Sequence, residues 1–188
     1  MKILIVGAGG VLGRATIPHL AGGHELIGTT RDPAKLPVIH DLGARGVLCD
    51  VYQPEALGRV VQAARPDAVV NLLTDLAGGS REANARIRRE GGPLVVRAAQ
   101  EAGARRLVVA SIAFTASGDG AAAVAELEAG ARASGMEALI LRFGRLWGPG
   151  TWSETTPEAP PTIHVAEAGR RAALLISAAL PGTYDIAD

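Results

Sequence analysis

The chain has 188 residues, of which 48% are hydrophobic and 20% are charged, as expected for one globular domain with a well-buried core. Its 19 basic residues balance 19 acidic residues, so net charge gives no argument for nucleic acid or an anionic membrane as a partner. The single cysteine, Cys49, excludes an internal disulfide framework, and no apolar run approaches the ~18 residues of a membrane span. We therefore expect a soluble cytoplasmic protein.

Short apolar runs alternate with helical patterns along most of the chain. The patterns predict strands at 2–6, 25–30, 46–49, 68–73, 106–111, 138–142 and 183–186, and helices at about 11–21, 54–64, 81–102 and 124–134. Gly91-Gly92-Pro93 should kink or split the third helix, and the proline-rich segment 148–162 should be irregular and mobile. This alternation predicts an α/β, Rossmann-like, doubly wound and mainly parallel sheet in strand order 3-2-1-4-5-6-7.

A glycine-rich turn connects the first predicted strand to the first predicted helix, with the spacing Gly7-x-x-Gly10-x-x-Gly13. Glycine adopts the left-handed conformations of a tight turn and lets the main chain approach a phosphate closely. The free amide groups and the dipole of the following helix favour a pyrophosphate there. Between a strand and a helix, the motif predicts a dinucleotide site formed by Gly7, Gly9, Gly10, Val11, Leu12 and Gly13.

The end of the second predicted strand bears on the choice between NAD and NADP. In a Rossmann unit an acidic residue there binds the ribose 2′-hydroxyl of NAD, whereas an arginine accommodates the 2′-phosphate of NADP. Thr30 is followed by Arg31 at the strand tip, with Lys35 one helical turn beyond. This arrangement favours NADP, while Asp32 as the ribose ligand is the alternative and would suit NAD.

Two further strand ends carry candidate cofactor contacts. Asp50 and Val51 follow the third strand, where a carboxylate would accept a hydrogen bond from the adenine amino group; alternatively, Asp50 caps the helix that starts near Pro54. The fourth strand ends in residues that we expect beside the cofactor at the carboxyl edge of the sheet, namely Leu72, Leu73 and Thr74.

Taken together, these segments resemble the short-chain dehydrogenase/reductase superfamily, in its extended or atypical branch of NAD-dependent epimerase/dehydratase-like proteins. The matching segments are 7–13, 30–35, 50–51, 106–111, 134–149, 163–168 and 181–186. The resemblance implies one NAD(P)-binding Rossmann domain over 1–188, with 151–188 as a vestigial substrate lobe. It also implies that Phe143 and Gly144 lie on the nicotinamide side of the cofactor.

The chain departs from this family at the acid/base pair. Reductive and epimerising members use Tyr-x-x-x-Lys on the helix after the fifth strand, and residues 121–130 contain neither residue type. The tyrosines are Tyr52 and Tyr184, and no Tyr-x-x-x-Lys occurs anywhere in the sequence. The resemblance aligns Ser111, or alternatively Ile112, with the family's serine or threonine that hydrogen-bonds the substrate carbonyl. As a further alternative, Ser111 satisfies a backbone group at the strand end.

Two functions remain open. The first is an NADP-dependent oxidoreductase or isomerase that acts on a small substrate; reduction by direct hydride transfer from NADPH would need no tyrosine. The second is a non-catalytic NADP-binding sensor or scaffold.

Other features of the sequence carry weaker expectations. Trp152 is a cover over a small pocket, a core residue or a subunit contact, which leaves a homodimer open. His164-x-x-Glu167 lacks the further ligands of a metal site, so no metal is expected. The remaining cluster has the pattern of a solvated helix face: Arg86, Arg88 and Arg89.

Overall fold

Seven parallel strands form one sheet in the computed structural model, which describes residues 1–75, 78, 80–155, 157 and 159–188. The strands within these residues are β1 (Lys2–Val6), β2 (Glu25–Thr30), β3 (Arg45–Leu48), β4 (Ala68–Asn71), β5 (Arg106–Ile112), β6 (Glu137–Phe143), β7 (Arg145–Trp147), β8 (Thr162–His164) and β9 (Gly182–Ile186). The sheet order is β3-β2-β1-β4-β5-β6-β9. This confirms the predicted order, with β9 as the seventh strand and β1 at the centre between β2 and β4.

Helices cover both faces of this sheet. They are α1 (Val11–Leu20), α2 (Leu36–Asp41), α3 (Pro54–Ala64), α4 (Arg81–Arg86), α5 (Gly92–Glu101), α6 (Asp119–Arg132) and α7 (Val165–Ala178). A 3-10 turn at Pro33–Lys35 precedes α2, and a π-helical turn at Ile87–Gly91 joins α4 to α5.

The alternation of side chains along β1 explains why the core has two layers. Ile3 and Ile5 point to the face covered by α1 and α7, whereas Leu4 and Val6 point to the face covered by α3, α5 and α6. All four side chains are almost completely buried, as expected for a central parallel strand between two helical layers.

Several helix bounds differ from the sequence prediction for identifiable reasons. The predicted helix 81–102 is divided where Gly91 meets Gly92, because the π-helical turn ends there and Pro93 lies in the first turn of α5. Helix α6 begins at Asp119 rather than near 124, since its first turns consist of Gly120 and alanines that give no amphipathic signal. Helices α2 and α7 were not predicted from the pattern.

The reasons that α2 and α7 gave no clear signal differ. Helix α2 has only six residues. The buried positions of α7 are mostly small, and Gly169 lies so close to α1 that a Cβ there would be 2.3 Å from the carbonyl oxygen of Ala15. Such a stripe of small residues permits close helix packing, but alanine and glycine are less distinctive of a core-facing surface than large aliphatic residues.

The segment 151–188 contributes to the same layers as the rest of the chain. Helix α7 packs on α1, and β9 pairs in parallel with β6. Outside the main sheet, β7 and β8 form a parallel two-stranded sheet that the sequence did not predict. Between them, the residues of 148–161 that the structure describes form turns and bends. Trp152 on this segment is 71% exposed, so it does not fill the core of this chain.

Within the described residues, no group of His, Cys, Asp or Glu side chains could hold a metal ion. His164 instead begins α7, where its Nδ1 accepts a hydrogen bond from the backbone amide of Ala166. Glu167 is bound by Arg170 and Arg171. A search of the described helices for one long and apolar enough to cross a membrane found none.

A buried carboxylate ties β5, β6 and α6 together. Glu128 of α6 is 3% exposed, and it accepts hydrogen bonds from Ser111 Oγ at 2.7 Å, Arg142 Nε and Nη2 at 2.8 and 2.7 Å, and Arg132 Nη2 at 2.9 Å. The pKa of the Glu128 carboxyl is lowered to about 2, and the hydrogen bonds from Arg142 make the largest contribution to this shift. The folded chain therefore holds Glu128 ionised across the neutral and mildly acidic range.

Replacing Glu128 with glutamine should lower the free energy of unfolding by about 2–3 kcal/mol at pH 7, because the folded state loses its preference for the ionised carboxylate. Since folding lowers this pKa from 4.5 to about 2, the contribution is complete above pH 4.5 and disappears as the pH falls towards 2. Urea unfolding of wild type and Glu128→Gln at a series of pH values should show the two curves converging over that interval.

The matched control is Glu126→Gln on the same helix, which removes only a surface ion pair with Arg89 and should cost less than about 1 kcal/mol. A Glu128→Gln variant as stable as wild type at pH 7, or a difference that does not depend on pH, would contradict this interpretation.

Candidate functional site

A cleft of about 650 Å³ opens at the carboxyl edge of the sheet, above β1, β2 and β4. Of the positions predicted from the sequence, it is lined by Gly7, Gly9, Gly10, Val11, Thr30, Arg31, Lys35, Asp50, Val51, Leu72, Leu73 and Thr74. This edge is where open α/β sheets bind ligands, at the point where the strand order reverses on either side of β1.

The glycine turn between β1 and α1 forms the floor of the cleft. Gly7 has a φ of +86°, which favours glycine, and a Cβ on Gly9 would lie 2.9 Å from Lys35 Cδ. Gly10 caps α1 without any side-chain hydrogen bond, so the first amide groups of the helix have no capping partner. Backbone donors at a helix N-terminus, with no side chains to block them, fit the diphosphate of a dinucleotide.

Five predicted positions lie outside the lining of this cleft. Leu12 and Phe143 are core side chains, since each belongs to the apolar layer between α1, α7 and the sheet. Gly13 lies beneath the turn, where a Cβ would be 2.5 Å from the carbonyl oxygen of Gly7. Gly144 lies against the backbone of residues 161–162, and Ser111 lies in the buried cluster around Glu128.

Ser111 has a partner that neither interpretation of the sequence included. Its hydroxyl donates to Glu128 Oε1 rather than to a backbone group, and the residue is 4% exposed. Because Glu128 is ionised, it accepts this hydrogen bond and has no proton to offer. The contacts at the end of β5 therefore connect β5 to β6 and α6 through a carboxylate that carries no proton at neutral pH.

Cationic side chains line the cleft, and two of them, Arg31 and Lys35, follow β2. Arg31 is exposed at the strand tip, Lys35 lies over Gly9, and Arg14 projects from the first turn of α1 towards Gly150. The carboxylate of Asp32 accepts a hydrogen bond from the amide of Ala34 at 3.0 Å and thereby caps the 3-10 turn. The acidic group at this strand end is thus already engaged by backbone.

The opposite wall follows β3. Asp50 Oδ1 accepts a hydrogen bond from the amide of Tyr52 at 3.0 Å. The residue that caps α3 is Gln53, so the alternative in which Asp50 caps this helix is wrong. The Tyr52 ring lies 4.3 Å from the guanidinium carbon of Arg86, which closes this side of the cleft. Burial raises the pKa of the Tyr52 hydroxyl, which keeps it protonated.

The sequence analysis missed several residues of the lining, and they have one property in common. Each comes from a segment whose approach to the cleft depends on tertiary packing: Arg14, Tyr52, Asp75, Ala83, Arg86, Ile87 and Gly150. The only signal within reach was for Arg14, which follows the glycine motif and lies in the first turn of the helix that the motif predicts.

A family model described as NAD(P)H-binding matches residues 7–161. A 3-diazoavenalumate denitrifying reductase from a Streptomyces species is 38% identical over 180 residues, which cover 80% of this chain and 58% of that protein. A ceramide reductase from Caulobacter vibrioides is 31% identical over 152 residues, which cover 79% of this chain and 47% of that protein. The chain thus spans about half the length of the curated relatives it matches.

Solved structures show the same fold at low sequence identity. A protein described as an NAD-dependent epimerase/dehydratase from Bacillus halodurans superposes with a TM-score of 0.80 at 19% identity, covering 100% of this chain and 94% of that one. The WbmH enzyme of Bordetella bronchiseptica, solved with NAD+, superposes with a TM-score of 0.77 at 17% identity, covering 100% and 75%. The predicted epimerase/dehydratase-like fold is confirmed, and the chain belongs to the NAD(P)H-binding family.

Proposed function

We propose that this chain is an NADPH-dependent oxidoreductase that reduces a small, electron-poor acceptor by direct hydride transfer. The observation that carries the proposal is the cleft itself, which combines a helix N-terminus without a side-chain cap with two cations, Arg31 and Lys35, that follow β2. The names of two curated relatives, both reductases, support the same class of reaction.

Each part of the cleft has a part of the dinucleotide to hold. The Gly9–Gly10 backbone and the first turn of α1 bind the diphosphate, and Asp50 with Val51 borders the adenine. Arg31 and Lys35 bind the ribose 2′-phosphate, which is the basis for preferring NADP over NAD. When bound, the dinucleotide supplies a hydride from its nicotinamide ring.

The chemistry of the acceptor follows from what the chain does not supply. The sequence has no Tyr-x-x-x-Lys, and the buried carboxylate nearest the end of β5 is ionised. Ser111 keeps a role in positioning Glu128 and Arg142, because its hydroxyl proton is directed to the carboxylate. A suitable acceptor therefore needs a hydride but no proton from the protein.

A diazo substrate meets this requirement, and the name of the Streptomyces relative describes one. Hydride replacement of an arene diazonium group breaks one C–N bond, forms one C–H bond and releases N₂, while NADPH becomes NADP+. No proton is taken up. Quinones are a second acceptor class of this kind, since solvent protonates the reduced oxygen after hydride transfer.

The first test concerns the cofactor. Arg31→Ala should weaken NADPH binding by about 10- to 100-fold, since a charge-assisted contact to the 2′-phosphate is lost, and should leave NADH binding within about twofold of wild type. Calorimetric titration of both cofactors measures this. Arg59→Ala, on the exposed side of α3 and outside the cleft, is the matched control and should change neither affinity. Equal affinities of wild type for NADPH and NADH would refute the assignment.

The second test concerns turnover. Purified protein should oxidise NADPH with arene diazonium or quinone acceptors and should not reduce simple aldehydes, whose reduction requires a proton donor. Because Glu128 stays ionised, its titration should leave no inflection in the rate between pH 6 and 9.

Anaerobic steady-state assays, with NADPH and acceptor each omitted in turn, make this measurement. Tight NADPH binding without oxidation by any acceptor would instead support the sensor or scaffold function. Epimerisation of a nucleotide sugar by the purified chain would contradict the proposal outright.

A further inference from the structure

Arg88 is a half-buried cation without a partner. It lies in the π-helical turn between α4 and α5, and in the part of the chain that the structure describes its guanidinium makes no hydrogen bond, ion pair or ring contact. Every fully buried side-chain nitrogen or oxygen among the described residues has a hydrogen-bond partner. Since the Arg88 nitrogens have none, they are not fully buried. The guanidinium is therefore poorly solvated but still accessible to a ligand.

The neighbouring arginines make this position unusual. Arg86 binds Glu90 at 2.8 Å and covers the ring of Tyr52, and Arg89 is bound by Asp119 and Glu126. Both have acidic partners, whereas Arg88 has none among the residues that the structure describes. The three arginines therefore do not form the uniform solvated face that the sequence suggested.

Partial burial of an unpaired guanidinium is unfavourable, because the charge loses water without gaining a counter-ion. Consistently, burial lowers the pKa of Arg88, whereas acidic partners raise the pKa values of Arg86 and Arg89. An anion that reached Arg88 would remove this cost. Its two parallel N–H donors suit a carboxylate especially well.

The π-helical turn that carries Arg88 adjoins the cleft, and Arg88 itself is not one of the residues that line it. Ile87, the residue before it, lines the cleft, and Arg89, the residue after it, holds the N-terminal half of α6. A Cβ on Gly91 would lie 3.6 Å from Val51 Cγ1, so the turn packs directly behind the cleft wall. Single π-helical turns within helices are frequent at functional sites.

We propose that Arg88 binds a carboxylate on the acceptor, so that the site selects small organic acids over their neutral analogues. The inference rests on the proposed reductase function in one respect only, which is that the bound acid is the acceptor. The dinucleotide phosphates are a second source of anionic oxygen. In the proposed function the dinucleotide phosphates are bound by the N-terminus of α1, Arg31 and Lys35. These groups lie outside the π-helical turn that carries Arg88.

Benzoate and benzamide form a matched pair of probes, because they have the same shape and differ in charge. In the presence of saturating NADP+, calorimetry should show that wild type binds benzoate at least about 10-fold more tightly than benzamide. Arg88→Met should weaken benzoate binding by about 10- to 100-fold, to the level of benzamide, and Arg88→Lys should restore part of it. Arg97→Met, an exposed arginine on α5, is the control and should behave as wild type.

Two further readouts make the result specific. NADP+ affinity should stay within about twofold of wild type in every variant, and Arg88→Met should melt at or above the wild-type temperature, because it removes an unpaired charge. The proposal is overturned if wild type does not distinguish benzoate from benzamide, or if Arg88→Met leaves benzoate binding unchanged. It is also overturned if Arg88→Met weakens NADP+ as much as benzoate, since Arg88 then serves the dinucleotide.

Benzoate binding requires no turnover, so the two proposals fail separately. A chain that binds benzoate through Arg88 but never oxidises NADPH refutes the reductase function and supports the anion site. A chain that turns over neutral and acidic acceptors equally well, with no dependence on Arg88, refutes the anion site and supports the reductase function.

Discussion

The close approach of α1 to the end of β1 is the contact on which the cleft depends. A side chain at Gly13 would collide with the carbonyl oxygen of Gly7 at 2.5 Å, so the first turn of the helix lies directly on the loop that precedes it. The positive φ of Gly7 lets the chain turn within this short distance. As a result, the unpaired amide groups of α1 open into the cleft rather than into a neighbouring side chain.

A buried ionic cluster connects β5, β6 and α6 in the second half of the chain. Helix α6 supplies Glu128 to this cluster, and residues 121–130 of this helix contain neither tyrosine nor lysine. Such a cluster fixes the relative positions of β5, β6 and α6, but a carboxyl with a pKa of about 2 cannot act as an acid at neutral pH. The fold thus combines a cleft for a dinucleotide with a buried ionic cluster that joins β5, β6 and α6.

The sequence predicts well whatever is encoded by neighbouring residues. The central strands are continuous β-branched runs, and the glycine spacing lies within one turn, so the sheet order and the cleft floor followed from local patterns. Contacts between residues far apart in the sequence could not be predicted from these local patterns. Tyr52 and Arg86 meet across the cleft from segments 34 positions apart, and Ser111 finds Glu128 17 positions away. The core-facing positions of α7 are mostly alanine and glycine, which are less distinctive of a buried helix face than large aliphatic residues.

Arg88 illustrates the same limit from the opposite direction. A cluster of three arginines in sequence suggests one solvated face, yet Arg86 and Arg89 bind acidic side chains and Arg88 binds none among the described residues. Arg88 and Arg89 lie on the π-helical turn, which changes their spacing around the helix. Charge in a sequence shows how many ions a segment carries. Only the packing shows which of these ions lacks a counter-ion. Partial burial and the lack of a counter-ion together are the basis for proposing that Arg88 binds an external anion.

Isotope tracing tests hydride transfer by this chain most directly. In the first experiment, NADPH with deuterium at one face or the other of nicotinamide C4 reacts with benzenediazonium in ordinary water. In the second experiment, unlabelled NADPH reacts with the same acceptor in D₂O. Direct transfer predicts deuterated benzene from one C4 epimer alone, a slower reaction with that epimer, and no enzyme-dependent deuterium from D₂O. Label arriving from the solvent, or equally from both epimers, would contradict direct hydride transfer.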